Sequence, residues 1–311
     1  MPDFMRTILI RELTTETDAA VVAFAQYLSS IMPVMPLGIV FYGSVLRHRD
    51  PNGILDLYVI TEENTSFSHH VMERMANAFL PPNVYYCEYE HEGQLLRAKV
   101  AVLSLAQFLK RSRLQSLDTT IWARFCQPVR LVWVKDEKSA DRILSAIQQC
   151  VVTAARWAAL LGPYSGEPED YWHTLFQHTY EAELRVEKKK RSHDLLAGHE
   201  ERYAVLLLAA WKKEAIHVSV IGDTFQPQLS PALREKAKSR WARVKRIGRP
   251  LNVMRLLKAA FTFRGGMRYL LWKIRRHTGE EVRVPPFVER HPLLGLPIFL
   301  WQARRLKSVR Q

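Results

Sequence analysis

Apolar residues along this chain change their period near residue 135. Before it they come in short runs rich in β-branched and aromatic side chains, bounded by turn residues, which predicts strands at Ile39 to Tyr42, Ile54 to Ile60, Val84 to Tyr89, Gln94 to Leu103 and Val129 to Val134. His91-Glu92-Gly93 reads as the turn between the third and fourth. Helical spacing predicts segments over Thr14 to Met32, capped by Thr14 or Thr15, over His69 to Phe79, stopped by Pro81-Pro82, and over Leu105 to Leu114 and Asp118 to Phe125. After Lys135 the period is helical throughout Ser139 to Leu161, Glu167 to Tyr180 and Ser192 to Trp211, and a breaker-rich stretch follows from Gly222 to Pro231. The pattern predicts an α+β chain: a small mixed-sheet domain over residues 1–135, a helical domain over 136–222 and a C-terminal region over 223–311. No internal repeat interrupts it.

Charge changes this picture only at the end of the chain. From Pro231 to Gln311 there are 21 Lys and Arg against four Glu, while the whole chain carries +14, so everything before the tail is slightly acidic. Within the tail, Val253, Leu256, Leu257, Ala260 and Phe261 repeat at helical spacing with Arg255 and Lys258 elsewhere on the turn. Tyr269 and Trp272 lie among arginines, and Pro292 to Trp301 is a short apolar run followed by more cations. Clustered Leu, Ile and Phe beside cationic groups suit the interface of an anionic membrane better than nucleic acid, for which scattered stacking aromatics are expected. The start of the chain lacks a signal-peptide core, and no apolar run approaches the roughly 20 residues of a spanning helix. Cys87, Cys126 and Cys150 show no metal-ligand spacing and read as small buried hydrophobes.

Candidate chemistry concentrates in GIVFYGSVLRHRDPNGILDLYVI, residues 38–60. A strand ending in Gly43-Ser44 brings bare backbone and a hydroxyl up to a phosphate chain, and Asp56 on the next strand can hold a divalent metal against the same phosphates. Strand, Gly-Ser, connection, strand with an acid resembles the nucleotidyltransferase superfamily, whose usual second strand reads Asp-x-Asp; Ile54 stands at the earlier acid. Lys99 interrupts a mostly apolar strand and needs an anionic partner, for which a nucleotide phosphate or Asp56 would serve. Arg124 has a planar fork suited to phosphate. Glu88 and Glu90 share a strand face and read as a solvated edge, and Lys188 to Arg191 as a wet charge run. The eleven histidines show no ligand spacing.

A longer series of motifs is more specific. Tyr42-Gly43-Ser44, ILDLYVI, NVYYCEYEHEGQLLRAKVAVLS, LDTTIWARFCQPVRLV and TYEAELRV occur in an order that resembles the mitochondrial translocator assembly and maintenance protein family and its bacterial relatives, the non-integral type of phosphatidate cytidylyltransferase. In that family the second strand carries a single acid. Its Ile-Lys-Tyr-Gly-Val run is similar to Ala98-Lys99-Val100-Ala101-Val102, its Gly-Arg-Leu-His-Lys-Pro-Val run to Ala123 through Val129, and its Ser-Tyr-x-Gly-Asp-Phe-Arg run to Thr179 through Arg185. Val45, Cys126, Gln127 and Glu183 depart from it, standing for Gly, His, Lys and Asp.

The resemblance implies a nucleotidyltransferase-like sheet domain, a winged-helix-like second domain and a basic C-terminal segment that attaches to a membrane. It implies transfer of the cytidylyl group of CTP to phosphatidate, with Mg2+, at the cytoplasmic face of a bacterial inner membrane or the matrix face of a mitochondrial one. The expected site has Asp56 and Lys99 as catalytic groups, Tyr42, Gly43, Ser44 and Arg124 on the nucleotide, and Asp56 with Glu183 on the metal. Arg185 would stand beside Glu183. The alternatives left by the residues are a nucleotidyltransferase acting on RNA or another small acceptor, and an inactive domain of this type serving as a membrane scaffold.

Overall fold

Two strands at the centre of the chain's sheet are the apolar runs expected to be neighbouring and buried. β1 (Gly38–Tyr42) and β2 (Leu55–Thr61) pair antiparallel, and β2 pairs parallel with β4 (Gln94–Ser104). With β3 (Asn83–His91) and β5 (Arg130–Val134) they form a five-stranded mixed sheet of order β3-β4-β2-β1-β5 in the computed structural model, which describes residues 3–48, 50, 53–65, 71–183 and 194–262. The β3–β4 turn falls where expected, with Glu92 at φ 49° and Gly93 at φ 78°, the two positive angles of a tight hairpin.

Each sheet face has its own cover. Ile39, Phe41, Leu57, Val59, Val100 and Val102 face α2 (Ala19–Ile31), whose Phe24, Ala25 and Leu28 are fully buried there. Val40, Tyr58, Ile60, Ala101 and Leu103 face the other way, into a core shared with α1 (Phe4–Leu13), α5 (Leu105–Ser112), α6 (Trp122–Phe125) and α7 (Glu137–Leu161). α1 was not expected. Thr14, expected to open a helix, instead closes α1, and α2 starts at Ala19, where the Asp18 side chain accepts from the Ala20 N–H at 2.8 Å. Two short helices complete this part, α3 (Ser44–His48) and α4 (Val71–Phe79).

The expected boundary near 135 falls at the N-cap of α7, where Asp136 accepts from the Ser139 N–H at 2.7 Å. α7 is long and apolar enough to cross a membrane by length and composition, but most of it is buried as the shared core helix. α8 (Pro168–Ala182) and α9 (Glu200–Lys213) pack on it, and the hairpin β6 (Val218–Ile221) to β7 (Thr224–Pro227) follows. The breaker-rich stretch is therefore strand and turn, and residues 222 and 223 lie within the hairpin turn.

α10 (Pro231–Thr262) extends the helical expectation for the tail back to residue 231. Trp241 stacks edge-on against Trp157 at 4.9 Å and lies 6.3 Å from Trp122. Farther along, Lys245 reaches Glu181 at 2.6 Å, Arg255 bonds Asp118, and the Lys258 ammonium donates to Leu80 O at 2.5 Å, Pro82 O at 2.7 Å and Asn83 Oδ1 at 2.9 Å. Arg255 and Lys258 thus face the protein, while Val253 and Met254 are exposed. The side chains of Leu256, Leu257, Ala260 and Phe261 lie outside the described residues, as do the tail features from Gly265 to Trp301, Arg185 and the run Lys188 to Arg191.

Candidate functional site

Strand register assembles the centre of the site. Tyr42 pairs with Asp56, Asp56 with Lys99, and Lys99 with Tyr86, so four residues form one row across β1, β2, β4 and β3. Directly opposed residues share a face, and adjacent strands lie about 4.8 Å apart. This row marks where the core stops: Asp56 and Lys99 are half-buried, whereas Tyr58 and Ala101, two residues on along the same strands and face, are buried.

Gly43 closes the row from above. It has φ 96°, a left-handed value that disfavours any side chain, and a Cβ there would stand 3.1 Å from Asp56 Cβ and Cγ and collide with Oδ2. The chain then turns into α3, whose first residue, Ser44, is exposed. Arg47 braces α3 against the α6 region: its Nη1 donates to Gln127 Oε1 at 3.2 Å, and Gln127 Nε2 donates to Ala123 O at 2.7 Å.

Arg124 stands at the Tyr42 end of the row. Its Nη1 donates to Thr120 O at 2.5 Å, and Nη2 lies 3.9 Å from Glu183 Oε2. Burial alone would lower its pKa, but Tyr58, Glu183, Tyr42 and Asp118 around it hold the guanidinium more firmly charged than usual. The ring of Tyr42 contacts Tyr58 at 5.2 Å and Phe125 at 5.9 Å, which fixes that end of the row against α6. Glu183 follows α8 and accepts from Thr119 Oγ1 at 2.8 Å, so the helical part of the chain reaches the site here.

Cys126 stands apart from this chemistry. Its side chain is fully buried with Sγ 3.4 Å from Ala123 O, and burial pushes its thiol up to about 12. Gln127 serves the brace to Arg47. Of the two strand acids, Glu88 accepts from the Tyr86 hydroxyl at 2.9 Å and lies 3.5 Å from Arg97, while Glu90 is exposed.

Asp118 adds a charge cluster that the sequence did not single out. Its carboxylate takes Thr120 N–H at 3.0 Å and Oγ1–H at 2.7 Å, bonds Arg255, and lies 3.3 Å from Arg111. Burial works to raise its pKa, yet Arg255 and the Thr120 bonds hold it below the usual carboxylate range. Tyr58 senses Arg124, Arg255, Asp118 and Asp56 together, which ties this cluster to the row. Tyr86 was legible in principle, since the alternation that puts Glu88 on a face puts Tyr86 there too. Arg255 carried no local signal, because its partner is 137 residues away.

Among the described residues no group of three or more His, Cys, Asp or Glu could hold a metal ion as a closed protein cage. Mg2+ commonly binds in another way, through one or two carboxylates completed by substrate phosphates and water. Asp56, half-buried with the bare backbone of Gly43 against its carboxylate, is an acid suited to that mode. Glu183 is engaged with Thr119 and Arg124. A cleft of about 700 Å³ lies away from this row, between the end of α7, α8 and α10. There Arg234 donates to Gly162 O at 2.7 Å and Pro163 O at 3.2 Å, capping the C-terminus of α7.

No protein-family model and no curated protein matches this chain. Among solved structures it is similar to the crystal structure, at 1.90 Å, of a nucleotidyltransferase-like protein from Exiguobacterium sibiricum, at 11% identity over 90% of this chain and 88% of that one. The TM-score is 0.25, a likeness too slight to assign a fold or a chemistry.

Proposed function

We propose that this chain is a Mg2+-dependent nucleotidyltransferase, and that its reaction is transfer of CMP from CTP to phosphatidate at an anionic membrane surface. The observation that carries the proposal is the row Tyr42–Asp56–Lys99 with Gly43 over the Asp56 carboxylate. The glycine puts bare backbone beside the carboxylate where any side chain would collide with it, and a lysine on the neighbouring strand supplies the opposite charge. CTP and phosphatidate themselves come from the motif resemblance.

In this reading Asp56 would hold the Mg2+, which when bound offsets negative charge on the nucleotide phosphates. Lys99 orients the triphosphate and stabilises the charge that gathers on the leaving pyrophosphate. Gly43 puts bare backbone at the Asp56 carboxylate, Ser44 offers its hydroxyl beside it, and Arg124, at the Tyr42 end of the row, would offer its guanidinium to the phosphates. A phosphatidate oxygen forms a bond to the α-phosphorus of CTP while the bond from that phosphorus to the bridging oxygen breaks, giving CDP-diacylglycerol and pyrophosphate. A phosphate monoester is already a competent nucleophile, so the site needs no strong general base, which suits its few carboxylates.

Pyrophosphate release from CTP, ATP, GTP and UTP on phosphatidate-containing liposomes with Mg2+ tests this, for the native chain and for Asp56→Asn. CTP-selective release that needs phosphatidate and falls at least about a hundredfold in the variant is expected. Release indifferent to phosphatidate would assign another acceptor, RNA included. Absence of turnover with every nucleotide by folded protein would leave an inactive scaffold.

A further inference from the structure

Asp118 gathers more positive charge than one carboxylate can neutralise. Its Oδ1 takes both hydrogen bonds from Thr120, which leaves Oδ2 for Arg111 of α5 and Arg255 of α10 together. Arg255 bonds that oxygen through Nη2 and reaches Asn252 Oδ1 at 3.4 Å through Nη1, while its buried Nε–H has no acceptor among the described residues. Arg111 has less. Its Nε lies 3.3 Å from Oδ2, and its guanidinium makes no aligned hydrogen bond among the described residues. Lys258, one turn beyond Arg255, donates to two backbone carbonyls and an amide oxygen, all uncharged. Three cations thus meet at one acid.

Packing alone does not call for this arrangement. Arg202, buried to a similar degree, is a guanidinium that the fold has satisfied: Nε and Nη2 clamp Glu12 at 2.6 and 3.1 Å, and Nη1 donates to Cys126 O at 3.0 Å. A buried charge without a full set of partners is unfavourable. Arg111 registers this, since burial, with the charge of Arg255 beside it, holds its guanidinium below its ordinary value in spite of Asp118.

An anion with several oxygens would complete the set. Two planar forks and an ammonium are donors suited to phosphate, and with Lys258 charged the two positive charges left over match a dianion. The Arg111 and Arg255 side chains are 16% and 17% exposed, so a small group can meet them from solvent. The cluster adjoins the Asp56 row without belonging to it. Thr120, fixed on Asp118, accepts from Arg124 at 2.5 Å, and Tyr58, two residues along β2 from Asp56, feels the charges of Arg124, Arg255, Asp118 and Asp56 together.

We propose that Arg111 and Arg255, with Lys258 beside them, form a binding site for a dianionic phosphate group, separate from the Asp56 row. The site stands whatever reaction the row performs.

Isothermal titration calorimetry on the full chain tests it, without nucleotide or Mg2+, at constant ionic strength and about pH 7.5, where a phosphate monoester is mostly a dianion. The probes are inorganic phosphate, dihexanoyl phosphatidate below its micelle concentration, and dimethyl phosphate, a diester with a single charge. Both dianions are expected to bind at least about tenfold more tightly than the diester. Arg111→Gln should weaken them at least about tenfold, while Lys99→Gln should leave them within about twofold. Tighter binding of the lipid than of inorganic phosphate marks a lipid headgroup as the source, and equal or weaker binding marks free phosphate; either upholds the site. Three results would overturn it. One is no binding of either dianion, or no preference over the diester, which the native chain shows even if a variant does not fold. Another is binding that survives Arg111→Gln. The third is binding that falls with Lys99→Gln as far as with Arg111→Gln, which would put the phosphate on the row.

Discussion

The α-carbon of Gly43 lies so close to the carboxylate of Asp56 that a Cβ there would stand 3.1 Å from Asp56 Cγ. Gly43→Ala therefore combines a left-handed backbone angle with a clash against Asp56. It is expected to lose about 1–3 kcal/mol in urea denaturation and to weaken Mg2+-dependent triphosphate binding at temperatures where it stays folded. Ser44→Ala, at an exposed position, is the control and should leave stability within about 0.5 kcal/mol.

Glu183 and Arg124 separate two roles for one carboxylate. If Glu183 acts by partly neutralising Arg124, Glu183→Gln keeps the acceptor for Thr119, frees the guanidinium, and binds triphosphate without metal severalfold more tightly. The Mg2+ concentration needed for half-maximal binding should then be unchanged. A clear increase in that concentration would instead make Glu183 a metal ligand.

Asn77 replaced by alanine removes three hydrogen bonds at the α4–sheet junction: the Asn83 N–H loses its acceptor, and Val102 O and Thr65 O lose a donor. A loss of about 2–4 kcal/mol is expected in chemical denaturation. Phe79→Ala on the opposite face of α4 should change it by no more than about 0.5 kcal/mol.

Lys258 gives a pH dependence. Burial, with Arg255 and Arg111 nearby, pushes its ammonium down to about 7, below the 10.5 of an ordinary lysine. The folded state then binds fewer protons than the unfolded one between these values, so this residue's contribution favours folding increasingly as pH rises from about 7 toward about 10.5 and is constant below. Comparing the native chain with Lys258→Met in urea at pH 7 and pH 9.5 isolates it from other groups. The native chain should gain relative to the variant at the higher pH, by about 1 kcal/mol or more.

Features set by local pattern were legible in the sequence. The central strands, the Glu92-Gly93 turn, the single acid on β2 and the α7 boundary at Asp136 all follow from residues within a few positions of one another. Pairing Asp56 with Lys99 needed only that their two strands be neighbours, which the alternation suggested. What escaped depends on distant partners. The face that α4 exposes, Val71, Met75 and Phe79, has a visible period, but a period does not say which side is inside; Val102 and Asn83 decide that. Arg255 and Lys258 look solvent-facing on a helical wheel because their partners, Asp118 and the carbonyls at Leu80 and Pro82, lie far back in the chain. Thr14 and Thr15 resemble helix starters, yet Asp18 supplies the better-placed oxygen, and α1 shows its burial only through Met5, Leu9 and Leu13 at four-residue intervals.

α7 touches both halves of the chain along its buried length, so the boundary at Asp136 divides the sequence but not the interior. Cut there, the sheet would turn Val40, Tyr58, Ile60 and Leu103 toward water. A lineage that borrowed the first 135 residues as a module would have to supply a replacement for that helix. The row of Tyr42, Asp56, Lys99 and Tyr86 and the helical half consequently rest on one interior.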